Sequence, residues 1–331
     1  MQTDGTLLLR RNDVARLLTF DESISAVEQI FRLQGEGKVP GSKILGIDTP
    51  NGGLHVKAAL LWKDRRYIVA KANTNFAENS QQFGLPTIQG VIIIFDAENG
   101  YPQAILDSTD ITIKRTAAAS AVAAKYLARA NSSIGTICGC GQQGRAHLHA
   151  LQAVLPLKKV YAFDRNESVA QNFATELGEE FEVEIEPAHE LQRAIQESDI
   201  CVTCTPSHRF FLRKQDVSPG TFIAAVGADN SRKQEIDPAL MASSKVVVDS
   251  LEQCSTMGDL HHAISAGLMR AENVSAELAE IIAGGNPGRT TDEEIIIFDS
   301  TGVAIEDAVT AVVAYEKARV ANVGNYFDFA A

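Results

Sequence analysis

Apolar residues recur every third or fourth position between residues 10 and 36: Val14, Leu17, Leu18, Ile24, Val27, Ile30 and Phe31. That period predicts helix, and Asp21 offers an N-cap for its second part. From Lys43 the pattern shortens to strand length. Lys43–Ile47, Leu54–Leu61, Tyr67–Ala72 and Gly90–Phe95 are the expected strands, separated by turns such as Pro50-Asn51-Gly52-Gly53. Ala97-Glu98-Asn99-Gly100 reads as a hairpin turn that returns Pro102–Leu106 antiparallel. The next segment, DSTDITIKRTAAASAVAAKYLARANSS, reads as an alanine-rich helix capped by Thr109 or Asp110. Tight packing accounts for its alanines. It does not account for Lys114-Arg115 near its start.

From Ser133 strands and helices alternate. The expected strands are Ile134–Cys138, Val160–Phe163, Phe181–Ile185, Ile200–Thr203, Thr221–Ala225 and Val246–Asp249. Gly144–Val154, Ser168–Leu177 and His189–Glu197 are helical between them. Such alternation predicts a parallel sheet covered on both faces. The last pair, EEIIIFDSTGVAIEDAVTAVVAYEKA, is an apolar strand, a Ser-Thr-Gly turn and a helix. No repeat or low-complexity segment interrupts the chain. The fold class is therefore α/β.

The 331 residues suffice for two domains, and 45 % hydrophobic with 22 % charged residues is an ordinary globular composition. With 30 Lys+Arg against 42 Asp+Glu the net charge is -12, which argues against nucleic acid or an acidic membrane as partner. No apolar run is long enough to predict a membrane span. The opening MQTDGTLLLRRNDVARLL has its arginines after its apolar residues, so no signal peptide is expected. Five cysteines, an odd number, point to a reducing, cytoplasmic setting.

Gly139-Cys140-Gly141-Gln142-Gln143-Gly144 matches a dinucleotide-binding fingerprint. Its context carries the inference: an apolar strand leads in, a helix leads out, and Asp164 ends the following strand. Gly139 would allow the tight turn, Gly141 the approach of a pyrophosphate, and Gly144 close packing of helix on strand. The helix start would present N–H groups of Gln142 and Gln143 to the phosphates. Asp164 would accept hydrogen bonds from a ribose diol and repel a 2′-phosphate, favouring NAD. Arg165 beside it leaves NADP possible. Thr205-Pro206-Ser207 and Val226-Gly227 follow later strands, at carboxyl ends where open α/β sheets bind ligands, and would flank the nicotinamide.

Cys138-x-Cys140 and Cys201-x-x-Cys204 resemble metal pairs, but an odd spacing along a strand turns Cys201 and Cys204 to opposite faces. No metal is expected. His147 and His149, two apart on a helix, do not face each other.

The ordered set LPTIQGVIIIFDAENGYPQAILD, ITIKRTAAASAVAAKYLAR, ICGCGQQGRAHLHAL, VTCTPS, AVGADNSRKQEID, VVVDSLEQC and EEIIIFDSTGVAIEDA resembles the ornithine cyclodeaminase/mu-crystallin family, along essentially the whole chain. GAD followed by KQEID, together with FDSTG, is most similar to its alanine dehydrogenase branch. The resemblance implies a Rossmann domain (residues 131–302) and a strand-rich α+β substrate and dimerisation domain (residues 1–130, completed by 303–331), with the active site in the cleft between them and a homodimeric assembly. It assigns Lys71 as acid/base, Arg115 to the substrate carboxylate, Asp229 to the substrate nitrogen, Lys43 as a second cationic contact, and Ser300 to a turn near the cofactor. Three residues depart from the family pattern. Lys57 stands where an apolar residue is expected; it suggests a more acidic substrate, or is a solvated strand residue. Asn230-Ser231-Arg232 precede Lys233, a further substrate-side candidate, where Pro-Gly is common. Gly144 replaces alanine.

The implied activity is an NAD(P)-dependent oxidoreductase at the CH–NH bond of a small amino or imino acid, either an amino-acid dehydrogenase or a cyclic ketimine reductase. Two alternatives stand beside it. One is an ornithine- or lysine-type cyclodeaminase that uses NAD catalytically and releases ammonia. The other is a non-catalytic ligand-binding protein like mu-crystallin.

Overall fold

The structure, a computed structural model, describes residues 5–40, 42–62 and 65–329. Residues 1–4 of the N-terminal segment in which no signal peptide is expected, and the last two of the 303–331 segment, lie outside them. Among the described residues no helix is long and apolar enough to cross a membrane. The chain forms two units, residues 1–115 with 303–331, and residues 116–302.

In chain order the strands are β1 (Thr6–Leu9), β2 (Lys43–Thr49), β3 (Gly52–Trp62), β4 (Arg66–Asn75), β5 (Ile88–Asp96), β6 (Pro102–Asp107), β7 (Ile134–Cys138), β8 (Lys159–Phe163), β9 (Glu184–Pro187), β10 (Ile200–Thr203), β11 (His208–Leu212), β12 (Phe222–Ala225), β13 (Gln234–Ile236), β14 (Lys245–Val248), β15 (Ala276–Glu277), β16 (Ile296–Asp299) and β17 (Asn325–Phe327). The helices are α1 (Arg11–Leu17), α2 (Phe20–Gly35), α3 (Asn79–Gln82), α4 (Thr109–Leu127), α5 (Gln142–Gln152), α6 (Glu167–Glu180), α7 (Leu191–Gln196), α8 (Pro238–Ser243), α9 (Leu251–Cys254), α10 (Gly258–Ser265), α11 (Leu278–Ile282) and α12 (Ala304–Ala321).

The first unit is a seven-stranded sheet, β17-β1-β6-β5-β4-β3-β2, with β2 to β6 antiparallel in sequence. One face carries Ala59, Leu61, Tyr67, Val69, Ile92 and Ile94, all buried, with α12 packed on β3 and β4. Strand β1 is an addition to the sequence reading. Thr6–Leu9 pairs parallel with β6, a long-range partner that no local pattern announces.

The long N-terminal helix is in fact two. Leu18 is extended, and Thr19 rather than Asp21 caps α2, in a reciprocal box with Glu22. Likewise α4 begins at Thr109, whose N–H is taken by the Asp107 carboxylate at 2.8 Å, so neither Thr109 nor Asp110 is the cap. The division between units falls inside α4, after Arg115. The rest of that helix belongs to the second unit, where Ser120 Oγ bonds the buried His147 Nε2 at 3.0 Å.

The second unit is an eight-stranded parallel sheet, β15-β14-β16-β12-β10-β7-β8-β9. Strand order runs outward from β7 through β8 to β9, then resumes on its other side with β10. The switch point therefore lies between β7 and β10, where this class of sheet opens a ligand crevice. The strand expected at Phe181–Ile185 lies later, at Glu184–Pro187, because Phe181 closes α6 and sets its ring edge against His149.

Candidate active site

In the first unit, register places Lys57 directly opposite Lys71 on neighbouring strands. They share the face that carries buried Ala59, Leu61 and Val69, with α12 above it. Directly opposed like charges are unfavourable, so counter-charge must be close. It comes from Glu306 and Asp307 in the first turn of α12, where the helix dipole also favours carboxylates. Lys71 Nζ lies 2.7 Å from Asp307 Oδ2. Arg115 sits one turn into α4 and spans both acids, NH1 to Glu306 Oε2 and Nε to Asp307 Oδ1, each at 2.8 Å. Lys71 Nζ also reaches Thr112 Oγ1 at 3.5 Å.

All four ionic groups of this array are buried. Burial pushes the Lys71 ammonium down to about 7; Asp307 opposes the shift, while Arg115 and Lys57 add to it. Burial would raise the Asp307 carboxyl, but Arg115, Lys71 and Lys57 outweigh it and hold the group below its ordinary range. The result is a lysine that exchanges protons near neutrality, beside a fixed guanidinium.

Lys43 does not join this array. It stands opposite Ala58, one residue out of phase with Lys57, and so on the other side of the sheet, exposed. Glu306 and Asp307 were not assigned roles from sequence. The available signal was a pair of acids in an otherwise apolar helix, VAIEDAVTAVV.

In the second unit the glycine loop has the shape its spacing implies. Gly139 has φ +102°, and a Cβ there would stand 2.9 Å from the Cys204 carbonyl oxygen. A Cβ at Gly144 would come within 2.0 Å of the Gly139 carbonyl oxygen. Around Gly141 nothing lies within 4 Å of that position, leaving the start of α5 open to a ligand. Gly141 is the N-cap of α5 and supplies no side chain to its N–H groups, with Gln142 and Gln143 following it in the first turn. Asp164 follows β8; its Oδ2 accepts the Cys140 N–H and its Oδ1 the Asn166 N–H, each at 3.0 Å. Arg165 is exposed.

The segments after β10 and β12 are held together. Thr205 N–H and Oγ1–H both donate to Glu235 Oε1 at 2.6 Å, and Gly227 N–H donates to Glu235 Oε2 at 2.9 Å. Pro206 is exposed between Thr205 and Ser207, and the Ser207 N–H returns to Thr205 Oγ1 at 3.2 Å. Val226 N–H closes on the Thr203 carbonyl at 2.9 Å. Ser300, at the end of β16, donates to Asp249 Oδ2 at 3.1 Å. Asp229 and Lys233 form an ion pair of 2.8 Å. Cys204 Sγ donates to the Gly139 carbonyl at 3.2 Å. Among the described residues no group of three or more His, Cys, Asp or Glu side chains could hold a metal ion.

The sequence model of the ornithine cyclodeaminase/mu-crystallin family matches residues 5–322. Alanine dehydrogenase of Archaeoglobus fulgidus is 39 % identical over 325 residues, covering 98 % of each chain. Among solved structures, an archaeal alanine dehydrogenase dimer with bound NAD superposes with a TM-score of 0.94 at 38 % identity, covering 98 % of this chain and 99 % of that one. The Δ1-pyrroline-2-carboxylate reductase of Thermococcus litoralis, in complex with NADH and L-proline, gives 0.91 at 35 % identity, covering 97 % and 100 %.

Proposed function

As this chain belongs to the ornithine cyclodeaminase/mu-crystallin family, we propose that it is an NAD-dependent oxidoreductase acting at the CH–NH bond of a small amino or imino acid, a part of amino-acid metabolism. The observation that carries the reading is the buried array in which Asp307 joins Lys71 to Arg115. A guanidinium has five donors in a planar fork, enough to serve the buried acids and a substrate carboxylate together. Lys71, brought near neutrality, gives a proton to the substrate nitrogen in reduction and takes one in oxidation. Asp229, paired with Lys233, is assigned to the nitrogen side of the substrate. Lys57 belongs with Lys71 and Arg115 rather than among solvated strand residues; Lys43 is left out of the anchoring set.

Gly139, Gly141, Gly144 and the start of α5 fit a pyrophosphate, and Asp164 fits a ribose diol, since each carboxylate oxygen can accept a second hydrogen bond. When bound, the nicotinamide supplies or takes up the hydride. Five free thiols support a reducing, cytoplasmic setting, and the exposed apolar face of the first unit's sheet supports a homodimer.

The test follows cofactor absorbance while single amino acids, or imino acids generated from keto acid and amine, are supplied. Net oxidation or reduction is expected. Ammonia release with no net cofactor change would instead establish a cyclodeaminase, and no turnover with any acid supplied would point to a ligand-binding protein or to a substrate outside the set.

A further inference from the structure

We propose that Glu235 is a positioning residue for the cofactor: one buried carboxylate clamps the segments after β10 and β12, and a chain of buried acids extends the hold to the segment after β16. This rests on NAD binding by the second unit.

Glu235 is fully buried, yet among the described residues its hydrogen-bond donors are backbone N–H groups and a hydroxyl, with no cation. Its two oxygens take three donors from two different segments, Thr205 twice and Gly227 once. The fit is close on both sides, since a Cβ on Gly227 would meet the Glu235 carboxylate at 2.5 Å and the Thr205 carbonyl at 2.4 Å. The Thr205 segment in turn abuts the glycine loop, because the missing Cβ of Gly139 faces the Cys204 carbonyl. A shift at Glu235 would therefore be felt at the switch point between β7 and β10.

The clamp is itself anchored. The backbone N–H groups of Glu235 and Ile236 both donate to Asp259 Oδ1 at 2.8 Å. Asp259 and Leu260 N–H groups donate to the Asp299 carboxylate at 3.3 and 2.9 Å. Asp249 N–H donates to the Asp299 carbonyl at 3.2 Å. The Asp249 carboxylate then collects the Ser300 and Thr301 hydroxyls and the Gly302 N–H. Four buried acids thus tie three strand-end segments, those of Thr205, Gly227 and Ser300, into one hydrogen-bonded unit. Burying so many carboxylates is costly unless each is well bonded. Glu235, Asp299 and Asp249 each engage both carboxylate oxygens with backbone N–H or hydroxyl donors, whereas Asp259 engages only Oδ1 and its buried Oδ2 has no hydrogen-bond partner among the described residues.

The clamp also has a charge state to lose. Burial pushes Glu235 up to about 7, Asp259 adds to the shift, and the Thr205 hydrogen bonds oppose it. The groups facing it are Asp259 from α10, itself raised to about 7, and the Cys138 and Cys204 thiols, held neutral by pKa values well above the ordinary thiol range. A proton on Glu235 occupies an acceptor position and releases one of its donors. NADH should bind more weakly as pH falls through about 7.

The experiment measures NADH binding by the fluorescence of the bound cofactor, in full-length wild type and Glu235→Gln, between about pH 6 and pH 8. The amide confronts one N–H with another N–H. Its Kd should rise at least about tenfold at the upper pH, the cost of a buried hydrogen bond to a charged group. The wild-type pH dependence should be flattened, while Asp237→Asn, at the half-buried N-cap of α8 three residues from the start of β13, should keep it. If Glu235→Gln does not fold, Thr205→Val, which removes one donor and leaves the acid in place, should still raise Kd several-fold. Wild-type affinity in Thr205→Val, or an unchanged Kd and pH profile in folded Glu235→Gln, overturns the proposal. A wild type that binds neither NADH nor NADPH overturns the functional reading itself, and this inference with it.

Discussion

Lys71 is useful because its surroundings disagree about its charge. Burial, Arg115 and Lys57 disfavour the ammonium, and Asp307 favours it. As general acid in imine reduction it must carry its proton, so kcat/KM for reduction should fall as pH rises through about 7. For oxidation the same group acts as base, and the rate should rise over that range. Asp307→Asn removes the negative charge that sustains the Lys71 ammonium, so the reductive profile should move to lower pH, read from rates on either side of neutrality. An unmoved profile would take Lys71 out of the proton transfer. Lys71→Arg should not restore turnover, because a guanidinium does not release its proton in this range. Arg115→Lys tests the other half of the array. Two parallel charge-assisted hydrogen bonds become one at most, so KM for the carboxylic substrate should rise about tenfold or more. The Kd for NADH, whose proposed site lies in the second unit, should stay near wild type. Equal loss of both would mean that Arg115 serves the fold through Glu306 and Asp307.

Elements show where local pattern suffices and where it fails. β7 and β10 were bounded correctly from sequence alone because their side chains are buried on both faces, giving apolar runs with sharp ends. β1 was invisible. Four residues, Thr6–Leu9, are too few to show a period, and they pair with a strand far along the chain. The break between α1 and α2 was missed because Leu17 and Leu18 continue the helical period on paper, while the Thr19–Glu22 box stops it in fact. At the glycine loop the tight turn and the close packing of helix on strand were legible, since the glycine spacing dictates them. Glu235 was not, since its role is set by which segments it ties, and they lie far from it in sequence. Two substitutions probe this level. Gly144→Ala should destabilise the second unit, because the new methyl meets the Gly139 carbonyl oxygen at 2.0 Å; the loss should appear as a lower Tm that added NADH only partly restores. Asp164→Ser removes the repulsion of a 2′-phosphate and should narrow the ratio of NADPH to NADH Kd. Tighter binding of NADPH than NADH by the wild type would instead assign Arg165 to the phosphate.

At the scale of the molecule, the sheet of the first unit has one face under α12 and one face bare. The bare face is apolar in register. Leu45, Val56, Ala72 and Val91 line up across β2, β3, β4 and β5, and Leu60, Ile68 and Phe95 form a second row. Leu45 is 57 % exposed, Ile47 52 %, Ile68 42 % and Val91 41 %. Isolated apolar side chains on a surface need no explanation, but two aligned rows, one across four strands and one across three, are a contiguous patch of the kind that marks an interface. A sheet of this sort answers to self-association through the same face on both copies, which a two-fold axis permits. Sedimentation of the wild type should therefore report a dimer. Leu45→Lys with Ile47→Lys places two charges on the bare face at the open edge strand, where neither side chain supports the monomer's own core. The double variant should sediment as a monomer at concentrations where wild type is dimeric, with its helix and strand content unchanged by circular dichroism. Because Lys71, Arg115, Glu306 and Asp307 lie on the opposite, covered face, their ion pairs should survive the change. A double variant that stays dimeric would move the interface to another surface of the chain.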